Sequence, residues 1–265
     1  MQKEVNNKLS THRIEQLLPD GQVVNREWLR NKGYGRTAID YFLRSGKLES
    51  LARGIYRRPG PPLRWQHIYY SLQQMGMDLH VGGQSALELQ GFTHYLSLGG
   101  KTTVIELYGH DKLPKWVEEW EGDARFIKKP MKCFKSTPKE ALTEILFGHW
   151  DWRLKISCAE LALLELLAGV HDESGFFKAD KYFESATALR PALLNSLLQA
   201  CTHIQTKRLF LWFAHRHGHA WVKHIDETQI GLGSGKRVIV KGGVLDKTYK
   251  ITVPKEMASD VADFF

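Results

Sequence analysis

The sequence predicts an α+β protein in which an N-terminal winged helix-turn-helix is followed by a mixed α/β body. Three observations lead to this prediction: two short amphipathic helical patterns that run into an arginine-bearing hairpin pattern, a glycine-proline break at residues 60–62, and a change in charge at that break. We expect a DNA-binding domain at residues 1–64 and a larger domain at residues 65–265, with a further break between subdomains near residue 150.

The chain before residue 22 has the pattern of one short helix. Ser10 is a suitable N-cap, Ile14, Leu17 and Leu18 provide an apolar face, and the Pro-Asp-Gly sequence that ends at Gly21 stops the helix. This segment is the expected first helix of a three-helix core.

Two further helical patterns follow, and the second one predicts a recognition helix. Asn25 is a suitable N-cap for a helix over residues 26–32, and Gly33 can take the left-handed conformation that ends it. Over residues 36–45 the apolar side chains recur at helical spacing and form one inward stripe, which leaves polar side chains on the opposite face. The stripe contains Ile39, Phe42 and Leu43, and the outward residues are Arg36, Thr37, Asp40, Tyr41 and Arg44.

A hairpin pattern comes next and predicts the wing. Residues 48–51 and 55–58 flank the turn Ala52-Arg53-Gly54, in which Gly54 supplies the position with a positive φ. In a winged helix-turn-helix the second helix enters the major groove and the wing contacts the DNA backbone or the minor groove. The alternative is a short α-α-β-β segment without any role in DNA binding. The predicted DNA contacts of this part are Lys47, Arg53, Arg57 and Arg58.

Positive charge is concentrated in this first segment. Residues 1–64 contain 13 Lys or Arg and 6 Asp or Glu, which accounts for +7 of the +8 carried by the whole chain. A basic surplus confined to a motif of this shape is the electrostatic signature of a DNA-binding module. The charge therefore favours the DNA-binding interpretation.

The composition is that of an ordinary globular protein, with 43% hydrophobic and 25% charged residues. No apolar run approaches the roughly 18 residues that span a bilayer, and the first residues lack the apolar core of a signal peptide, so we expect a cytoplasmic protein. Cys133, Cys158 and Cys201 are far apart in sequence and form no C-x-x-C pair. Each is expected to fill a small apolar gap rather than to join a disulfide or a zinc site.

The first part of the body, up to residue 156, combines helical and strand patterns. Apolar residues over 65–75 recur at helical spacing up to Gly76, and Ser85 and Glu88 have the capping-box spacing of a second helix that ends at Gly91. Strands are expected at residues 79–81, 101–108, 124–128 and 150–156, the last with Trp150, Trp152, Leu154 and Ile156 on one face, while residues 142–147 fit either a strand or a helix.

The second part of the body begins with a strongly apolar helix and ends in strands. Ser157 and Glu160 have capping-box spacing for that helix, which Gly169 ends, and Pro191 takes a first-turn position in another helix that continues to Gln199. A further helix is expected at residues 207–216, with Leu209, Trp212 and Phe213 as its buried stripe, and strands at residues 238–240 and 248–253, joined across Gly242, Gly243 and Asp246.

A group of histidines is the one place where a metal site could be considered. His215, His217, His219 and His224 are close in sequence, but the first two are only two residues apart at a helix end, and no carboxylate has the H-E-x-x-H spacing. No Ser-His-Asp order or pair of carboxylates on one face stands out either. We therefore expect no metal, no cofactor, no catalytic residue and no enzymatic activity.

The glycine-rich segment GLGSGKR at residues 231–237 invites comparison with a phosphate-binding loop. The comparison fails because Ile230 stands where the first glycine of a P-loop belongs and Arg237 stands where a Ser or Thr belongs. We interpret the segment as a turn that exposes Lys236 and Arg237, and these two cations are candidates for a secondary contact to the DNA backbone.

Several segments, in this order and at these intervals, resemble the AbiEi-type antitoxins of type IV toxin-antitoxin systems. They are GKLESLARGIY in the predicted wing, GGQSALELQGFTHYL, VIELYG followed by LPKWV, SCAELALLELL, and RLFLWFA followed by HAW and IGLGSGKR. The resemblance extends from Leu9 to Pro254. The segment SCAELA departs from the commoner S-x-x-E-R-A form because Leu161 stands where arginine is usual.

The resemblance implies two activities. The winged helix binds inverted repeats in the promoter of its own operon and represses it, and the body relieves the toxicity of a partner toxin with a nucleotidyltransferase fold, without needing a stable toxin-antitoxin complex. Because the sequence shows no heptad seam, we expect a monomer in solution and two copies on the DNA.

Two other classes of function remain open at this point. One is a winged-helix regulator that senses a small ligand and has no toxin partner, which an apolar pocket with a few convergent polar groups would favour. The other is a DNA-acting enzyme, which would need carboxylates that converge on a metal, and the sequence offers no such spacing.

Overall fold

The computed structural model describes residues 14–92, 103–148 and 151–258, and these residues form the predicted α+β architecture. Their strands form three sheets, of three, two and five strands. The predicted cap residue Ser10 and the first strand position Trp150 lie outside the described residues. Within the described ranges, no helix is both long and apolar enough to cross a bilayer.

The N-terminal module contains three short helices and a three-stranded antiparallel sheet. The elements are α1 (Ile14–Leu17), β1 (Val23–Asn25), α2 (Arg26–Asn31), α3 (Arg36–Arg44), β2 (Glu49–Ala52) and β3 (Ile55–Arg57). In the sheet, β3 lies between β1 and β2. The predicted winged helix-turn-helix is therefore present. Strand β1 was not predicted, because three residues carry too little alternation to be recognised as a strand.

Strand β1 divides its two valines between two cores. Val24 packs into the small core of the module, whereas Val23 packs into the core of the body. The Val23 N–H also donates to Ser71 Oγ at 2.7 Å, and Ile55 of β3 joins the body core as well. The sheet of the module is thus attached to helix α4 (Trp65–Gln74), which follows the break at residues 60–62.

The body is built on a five-stranded mixed sheet with the order β6 (Ala124–Lys128), β5 (Thr103–Gly109), β4 (Leu79–Val81), β8 (Trp152–Ser157) and β7 (Leu142–Phe147). In this sheet β5 pairs parallel with β6 and β4 parallel with β8, while the pairs β4–β5 and β7–β8 are antiparallel. Residues 142–147, which fitted either element type, form the edge strand β7 through their pairing with β8.

Helices pack on this sheet and extend its core. Helix α7 (Ala159–Leu167) lies at the centre, since seven of its nine residues are buried. Helix α8 (Glu173–Glu184) was not predicted, because a glycine and several charges interrupt its apolar pattern. Its buried residues are Phe176, Ala179, Tyr182 and Phe183. The helices are α5 (Gly83–Leu89), α6 (Lys115–Glu118), α7 (Ala159–Leu167), α8 (Glu173–Glu184), α9 (Pro191–Ala200), α10 (Ile204–His217) and α11 (Lys255–Ala258), with 3-10 turns at Lys139–Ala141, Val222–His224 and Glu227–Gln229.

The predicted capping box of α5 is wrong, because its serine lies inside the helix. Helix α5 begins at Gly83, so Ser85 is not the N-cap. Its Oγ instead donates to Val104 O at 3.1 Å and accepts from Glu106 N at 2.9 Å. Ser85 therefore ties the helix to strand β5.

The predicted capping box of α7 is also wrong. The N-cap is Cys158, which makes no side-chain cap bond. Ser157 Oγ donates to Glu165 Oε2 at 2.8 Å, and Glu160 binds Arg190. Each of the two side chains therefore binds a residue outside the predicted capping box.

Glu165 is the centre of a buried polar network at the start of α5. Its carboxylate accepts from Gly83 N at 2.8 Å and lies 2.7 Å from His80 Nε2. A Cβ at Gly82 would lie 2.2 Å from Glu165 Oε2 and 2.6 Å from Tyr108 Cδ2, while Gly83 has a φ of +53°. Lack of space therefore requires glycine at both positions of the GGQS segment, since a Cβ at Gly83 would lie 2.6 Å from Glu106 Oε2, and the positive φ is a second reason at Gly83.

The first prediction concerns this lack of space. Gly82→Ala is expected to lower the free energy of unfolding by about 1–3 kcal/mol, because the buried Glu165 and Tyr108 side chains must move. Gly35→Ala is the matched control, since Gly35 is also an N-cap glycine with extended backbone and its Cβ would meet nothing within 4 Å. Urea unfolding compares the two variants. Equal losses at both positions would contradict the explanation.

Glu160 is buried and pairs with the exposed Arg190, which ties α7 to the start of α9. Arg190 Nε and Nη2 donate to the two carboxylate oxygens at 2.9 and 2.8 Å, and Arg190 N donates at 2.8 Å. Burial opposes ionisation of Glu160, whose side chain is 3% exposed, but the hydrogen bonds from Arg190 outweigh this effect and lower the pKa of Glu160 to about 2.

A second prediction follows for the pH dependence of stability. A carboxylate with a lowered pKa stabilises the folded state above its ordinary pKa of 4.5, and this contribution is lost as the pH falls towards about 2. Arg190→Gln is therefore expected to destabilise the protein most at neutral pH, with a difference from wild type that shrinks below pH 4.5. Arg153→Gln, which breaks an exposed pair with Glu144, should have little effect at any pH. Urea unfolding across the pH range tests this, and a loss that does not change with pH would contradict it.

The strand predicted at residues 238–240 is wrong. Ile239 N and Val240 N both donate to Thr252 Oγ1, at 2.8 and 3.0 Å. This side-chain oxygen takes the place of the backbone carbonyls that a neighbouring strand would provide. The terminal hairpin instead pairs β9 (Val244–Leu245) with β10 (Thr252–Val253), the latter inside the second predicted strand.

Candidate DNA-binding site

The turn between α2 and α3 fixes the predicted recognition helix on the module. The Asn25 side chain accepts from Trp28 N at 2.7 Å, which confirms the predicted N-cap, and Gly33 has a φ of +88°. Tyr34 is buried, and its ring meets that of Phe42 edge-on with centroids 5.4 Å apart. The start of α3 is therefore held by packing as well as by the turn.

Helix α3 has one buried face and one exposed face. Ile39 and Phe42 are buried as predicted, Ala38 joins them, and Leu43 is partly buried at the edge of the stripe. A helix fixed along one side can present its other side to a groove of DNA without rearrangement. The residues on the opposite side are Arg36, Thr37, Tyr41 and Arg44, which are exposed, and Asp40, which is half-buried.

The charged groups on this exposed face make only weak contacts with each other. Arg36 Nε lies 3.9 Å from Asp40 Oδ2, and its side chain is 88% exposed. Arg44 Nε donates to the backbone O of Asp40 at 3.3 Å. Exposed pairs of this kind contribute about 0–1 kcal/mol. Both guanidinium groups are therefore available to an external acceptor at little cost.

The wing presents one arginine at its tip. Gly54 has the predicted positive φ, +77°, and its carbonyl accepts from Arg26 N at 3.0 Å, which anchors the turn to the start of α2. Arg53 is exposed, and its guanidinium has no acceptor among the residues that the structure describes. This position is suited to contact a phosphate or the minor groove.

The three remaining cations among the predicted DNA contacts are bound within the protein. Arg57 pairs with Glu49 and donates to Pro61 O at 3.0 Å, and its side chain is 14% exposed. Arg58 Nη1 lies 3.0 Å from Asp20 Oδ1 and donates to Glu15 O and Leu18 O at 3.2 Å each, while Lys47 Nζ lies 3.5 Å from Glu15 Oε1. Lys47 and Arg58 thus hold the wing to α1, and Arg57 joins the two strands of the wing. Their partners are up to 43 residues away, so sequence reasoning could not separate them from Arg53.

Lys236 and Arg237 lie in the C-terminal part of the body, apart in sequence from the module. Lys236 is exposed, whereas Arg237 is half-buried and its Nη1 donates to Lys236 O at 3.2 Å. The loop that carries them is held from inside by Arg208, which is 1% exposed and donates to the loop carbonyls Leu232 O at 2.9 Å, Gly233 O at 3.1 Å and Gly235 O at 2.6 Å. The sequence gives no sign of this contact.

Three of the four clustered histidines, His215, His217 and His219, have separate side-chain partners. His215 Nε2 lies 2.5 Å from Glu227 Oε1, His217 Nε2 lies 2.8 Å from Asp180 Oδ1, and His219 Nε2 lies 2.7 Å from Phe183 O. Over the described ranges, no group of three or more His, Cys, Asp or Glu is arranged to hold a metal ion. These contacts have a structural role at the end of α10.

A polar cleft of about 370 Å³ lies beside the Glu165 network. Its lysines are engaged within the protein. Lys129 pairs with Glu106 at 3.2 Å, Lys178 donates to Gln84 Oε1 at 3.1 Å, and Lys132 donates to Ala168 O at 3.1 Å. Small-molecule sites are usually more apolar and present a few free polar groups, so this cleft is weak support for ligand binding.

All three cysteines are buried and free, as expected for side chains that fill gaps. The fold nevertheless brings two of them together, which their spacing in sequence did not indicate. A hydrogen bond with Cys201, together with burial, raises the pKa of the Cys133 thiol, which keeps it protonated.

Fold and charge together define a class of protein, a winged helix-turn-helix regulator with a basic N-terminal module and a mixed α/β body. One family model, described as "Transcriptional regulator, AbiEi antitoxin N-terminal domain", matches residues 7–98. Another, described as "Transcriptional regulator, AbiEi antitoxin, Type IV TA system", matches residues 102–254. The chain therefore belongs to the AbiEi antitoxin family of type IV toxin-antitoxin transcriptional regulators, and the resemblance inferred from sequence is confirmed.

A solved structure supports the fold independently. The crystal structure of the RV2827C protein from Mycobacterium tuberculosis aligns with a TM-score of 0.56 over 91% of this chain and 88% of that chain, at 14% sequence identity. Identity at this level is evidence for a shared fold alone. No match was found among curated proteins.

Proposed function

We propose that the chain binds inverted repeats in its own promoter through α3 and the wing, and thereby represses its operon. The observation that carries this proposal is the exposed face of α3, where Arg36 and Arg44 project from a helix whose other face is fixed in a core. Arginine on such a helix binds the edge of guanine through two hydrogen bonds in the major groove. In this proposal Arg36 and Arg44 contact base edges, with Thr37, Asp40 and Tyr41 beside them, and Arg53 contacts the backbone or the minor groove.

The body has the antitoxin activity in this proposal. It counters a partner toxin with a nucleotidyltransferase fold, without a stable complex and without enzymatic activity of its own, in the cytoplasm. Membership of the AbiEi antitoxin family supports this division. The protein acts as a monomer in solution and occupies the operator as two copies, with half-sites spaced by multiples of a helical turn.

The competing function is a ligand-sensing regulator without a toxin partner. The polar cleft beside Glu165 is the observation in its favour. The two functions differ in the neighbouring gene, because an antitoxin requires an adjacent reading frame for a nucleotidyltransferase-like toxin, whereas a ligand sensor does not.

A third prediction tests the proposed DNA contacts through their salt dependence. If all six cations predicted from the sequence contacted phosphates, the slope of log K against log salt would be about −5. Because Lys47, Arg57 and Arg58 have partners within the protein, only Arg36, Arg44 and Arg53 bring available positive charge to the duplex. These three displace counterions whether they contact bases or phosphates, so we expect a slope of about −3 per module. Fluorescence anisotropy with a duplex limited to one half-site measures this slope.

Two other values of the salt slope would change this interpretation. A slope near −5 would show that the three paired cations exchange their protein acceptors for phosphates on binding. A slope close to zero would contradict DNA binding by this module. A scrambled duplex of the same length is the control for sequence preference.

A further inference from the structure

The fold brings two of the three cysteines together at the junction between α9 and α10. Cys133 lies in the segment that follows β6, and Cys201 comes directly after the last residue of α9. Thr202 N and Thr202 Oγ1 both donate to Cys133 O, at 2.8 and 3.2 Å, which joins the two backbones. The thiols of Cys133 and Cys201 are also hydrogen-bonded to each other. Side chains in this arrangement need only a small movement to form a disulfide.

The two thiols have different surroundings, which gives them different reactivities. The hydrogen bond with Cys133 lowers the pKa of the Cys201 thiol against the effect of burial, and the positive charge of Lys207 lowers it further. Lys207 is itself buried, and its ammonium donates to Gly231 O at 3.3 Å. The same hydrogen bond, together with burial, raises the pKa of Cys133. Because the thiolate is the reactive form of cysteine, Cys201 is the nucleophile of the pair.

A small cavity brings a small oxidant close to these thiols. It has a volume of about 10 Å³, which is room for about one water-sized molecule, and Cys133 lies in its wall. The Thr137 hydroxyl also lies in the wall and is buried without a hydrogen-bond partner among the described residues. Tyr108 and Lys132 line both this cavity and the polar cleft beside Glu165. A single layer of side chains therefore separates the cavity from a solvent-filled cleft.

Cys158 shows what burial does to a cysteine of this protein that has no neighbouring thiol. It is 4% exposed, and as the N-cap of α7 it lies beside Glu160. Burial raises the pKa of Cys158 to about 12, so almost none of it is thiolate at neutral pH. The contact between two thiols, within the part of the chain that the structure describes, thus distinguishes Cys133 and Cys201 from the third cysteine.

We propose that Cys133 and Cys201 form a redox-sensitive site in the body, at which a peroxide converts the two thiols into a reversible disulfide. The inference goes beyond the proposed function and does not depend on it, because it concerns the chemistry of the body alone. Disulfides in a reducing compartment are usually transient and form in response to an oxidant. We therefore expect the pair to be reduced until peroxide is present.

The reaction consumes one molecule of hydrogen peroxide and releases two molecules of water. The Cys201 thiolate attacks one peroxide oxygen, the O–O bond breaks, and hydroxide leaves and takes up the proton that the thiol had released, which gives a sulfenic acid and water. The Cys133 sulfur then attacks the sulfenic sulfur, the S–O bond breaks, and the hydroxyl group leaves as water with the Cys133 proton. The two thiols lose two electrons, and the peroxide oxygens gain them. A dithiol reductant reverses the bond by exchange.

The disulfide is expected to stabilise the body. It closes a loop of about 70 residues that contains β7, β8, α7, α8 and α9, and so restricts the unfolded chain. The melting temperature of the oxidised protein should lie on the order of 10 °C above that of the reduced protein. Dithiothreitol should return it to the reduced value.

The experiment uses the full-length protein. The reduced protein is exposed to hydrogen peroxide for increasing times, denatured and alkylated with iodoacetamide, and peptide mass spectrometry then shows whether each cysteine is free, linked or oxidised. In wild type we expect peptides linked through Cys133 and Cys201, while Cys158 stays free. The link should form at least about tenfold faster than any oxidation of Cys158. Dithiothreitol should restore all three thiols.

Single substitutions separate the roles of the two thiols. In Cys133→Ala, Cys201 should stop at the sulfenic acid, which dimedone labels. In Cys201→Ala, Cys133 should remain a free thiol at the same peroxide concentration. Cys158→Ala is the matched control, since it removes a buried cysteine outside the pair, and it should form the disulfide at the wild-type rate. Equal dimedone labelling of the first two variants would overturn the assignment of Cys201 as the nucleophile.

The wild-type protein decides the inference even where a variant is unstable in the reduced form. Three free thiols after exposure to peroxide would overturn it. Oxidation of Cys158 at the rate of the pair would do the same, because the pair would then have no special reactivity. A bond between two molecules in place of one within the chain would also overturn it.

Discussion

Full-length protein with Arg36→Ala and Arg44→Ala is expected to bind its operator at least about 30-fold more weakly than wild type. An arginine that reads a base edge contributes about 1–3 kcal/mol. The two positions are at opposite ends of α3, so their losses should add. Anisotropy with the short operator duplex measures this effect, and because base contacts are lost, the preference for operator over scrambled duplex should fall with the affinity.

The folded state should be unaffected by this double substitution. Arg36 and Arg44 are exposed and make only weak contacts, so the free energy of unfolding should change by about 0.5 kcal/mol or less. A variant with Lys112→Ala and Arg125→Ala removes the same charge from exposed positions of the body and should keep operator affinity. If both variants lose affinity equally, the effect is one of net charge, and the assignment of α3 as the recognition helix is wrong.

The second large effect is expected at Arg208. Arg208→Met keeps an apolar stem in the core but removes the donors that bind the three loop carbonyls and, at 3.4 Å, Lys250 O. Loss of donors to several buried or half-buried acceptors should destabilise the protein by about 2–4 kcal/mol. For a chain of this size the melting temperature should fall by on the order of 10 °C.

Arg208→Lys separates hydrogen-bond geometry from charge. A lysine keeps the positive charge, but its single ammonium group cannot reproduce the planar set of donors that reaches several carbonyls at once. We expect Arg208→Lys to recover less than half of the loss caused by Arg208→Met. Thermal melting followed by circular dichroism measures both, and a melting temperature equal to wild type in Arg208→Met would show that the loop does not depend on this side chain.

The features that sequence predicted well are those encoded by neighbouring residues. Helix α3 was predicted together with its inward face, because Ile39 and Phe42 lie within one turn of each other and the helical period is visible over nine residues. The Asn25 cap and the Gly54 turn were predicted for the same reason, since each depends on backbone geometry within four residues.

The features that sequence did not reveal depend on distant partners. Arg53 and Arg58 look alike in sequence, yet one is free at the wing tip and the other is bound to Asp20 and α1. The capping boxes were wrong because Ser85 and Ser157 satisfy hydrogen bonds across the fold. A serine three residues before a glutamate is compatible with either use, so spacing alone could not decide.

Contacts between the module and the body affect how the separate activities of the two domains can be tested. Val23 and Ile55 of the module pack into the body core, so a body that begins after residue 62 would expose part of that core on helix α4. Truncation therefore confuses loss of function with loss of packing. Exposed point substitutions in the full chain avoid this problem.

The most direct test of the central claim measures repression and toxin rescue with the same protein. A promoter-reporter assay and a growth-rescue assay are run side by side on cells that express wild type, the Arg36→Ala and Arg44→Ala variant, or the Lys112→Ala and Arg125→Ala control. Separate activities predict that the double variant of α3 loses repression but still rescues growth, while the control keeps both. A folded α3 variant that loses rescue together with repression would show that antitoxicity works through DNA binding, and would contradict the division of function between the module and the body.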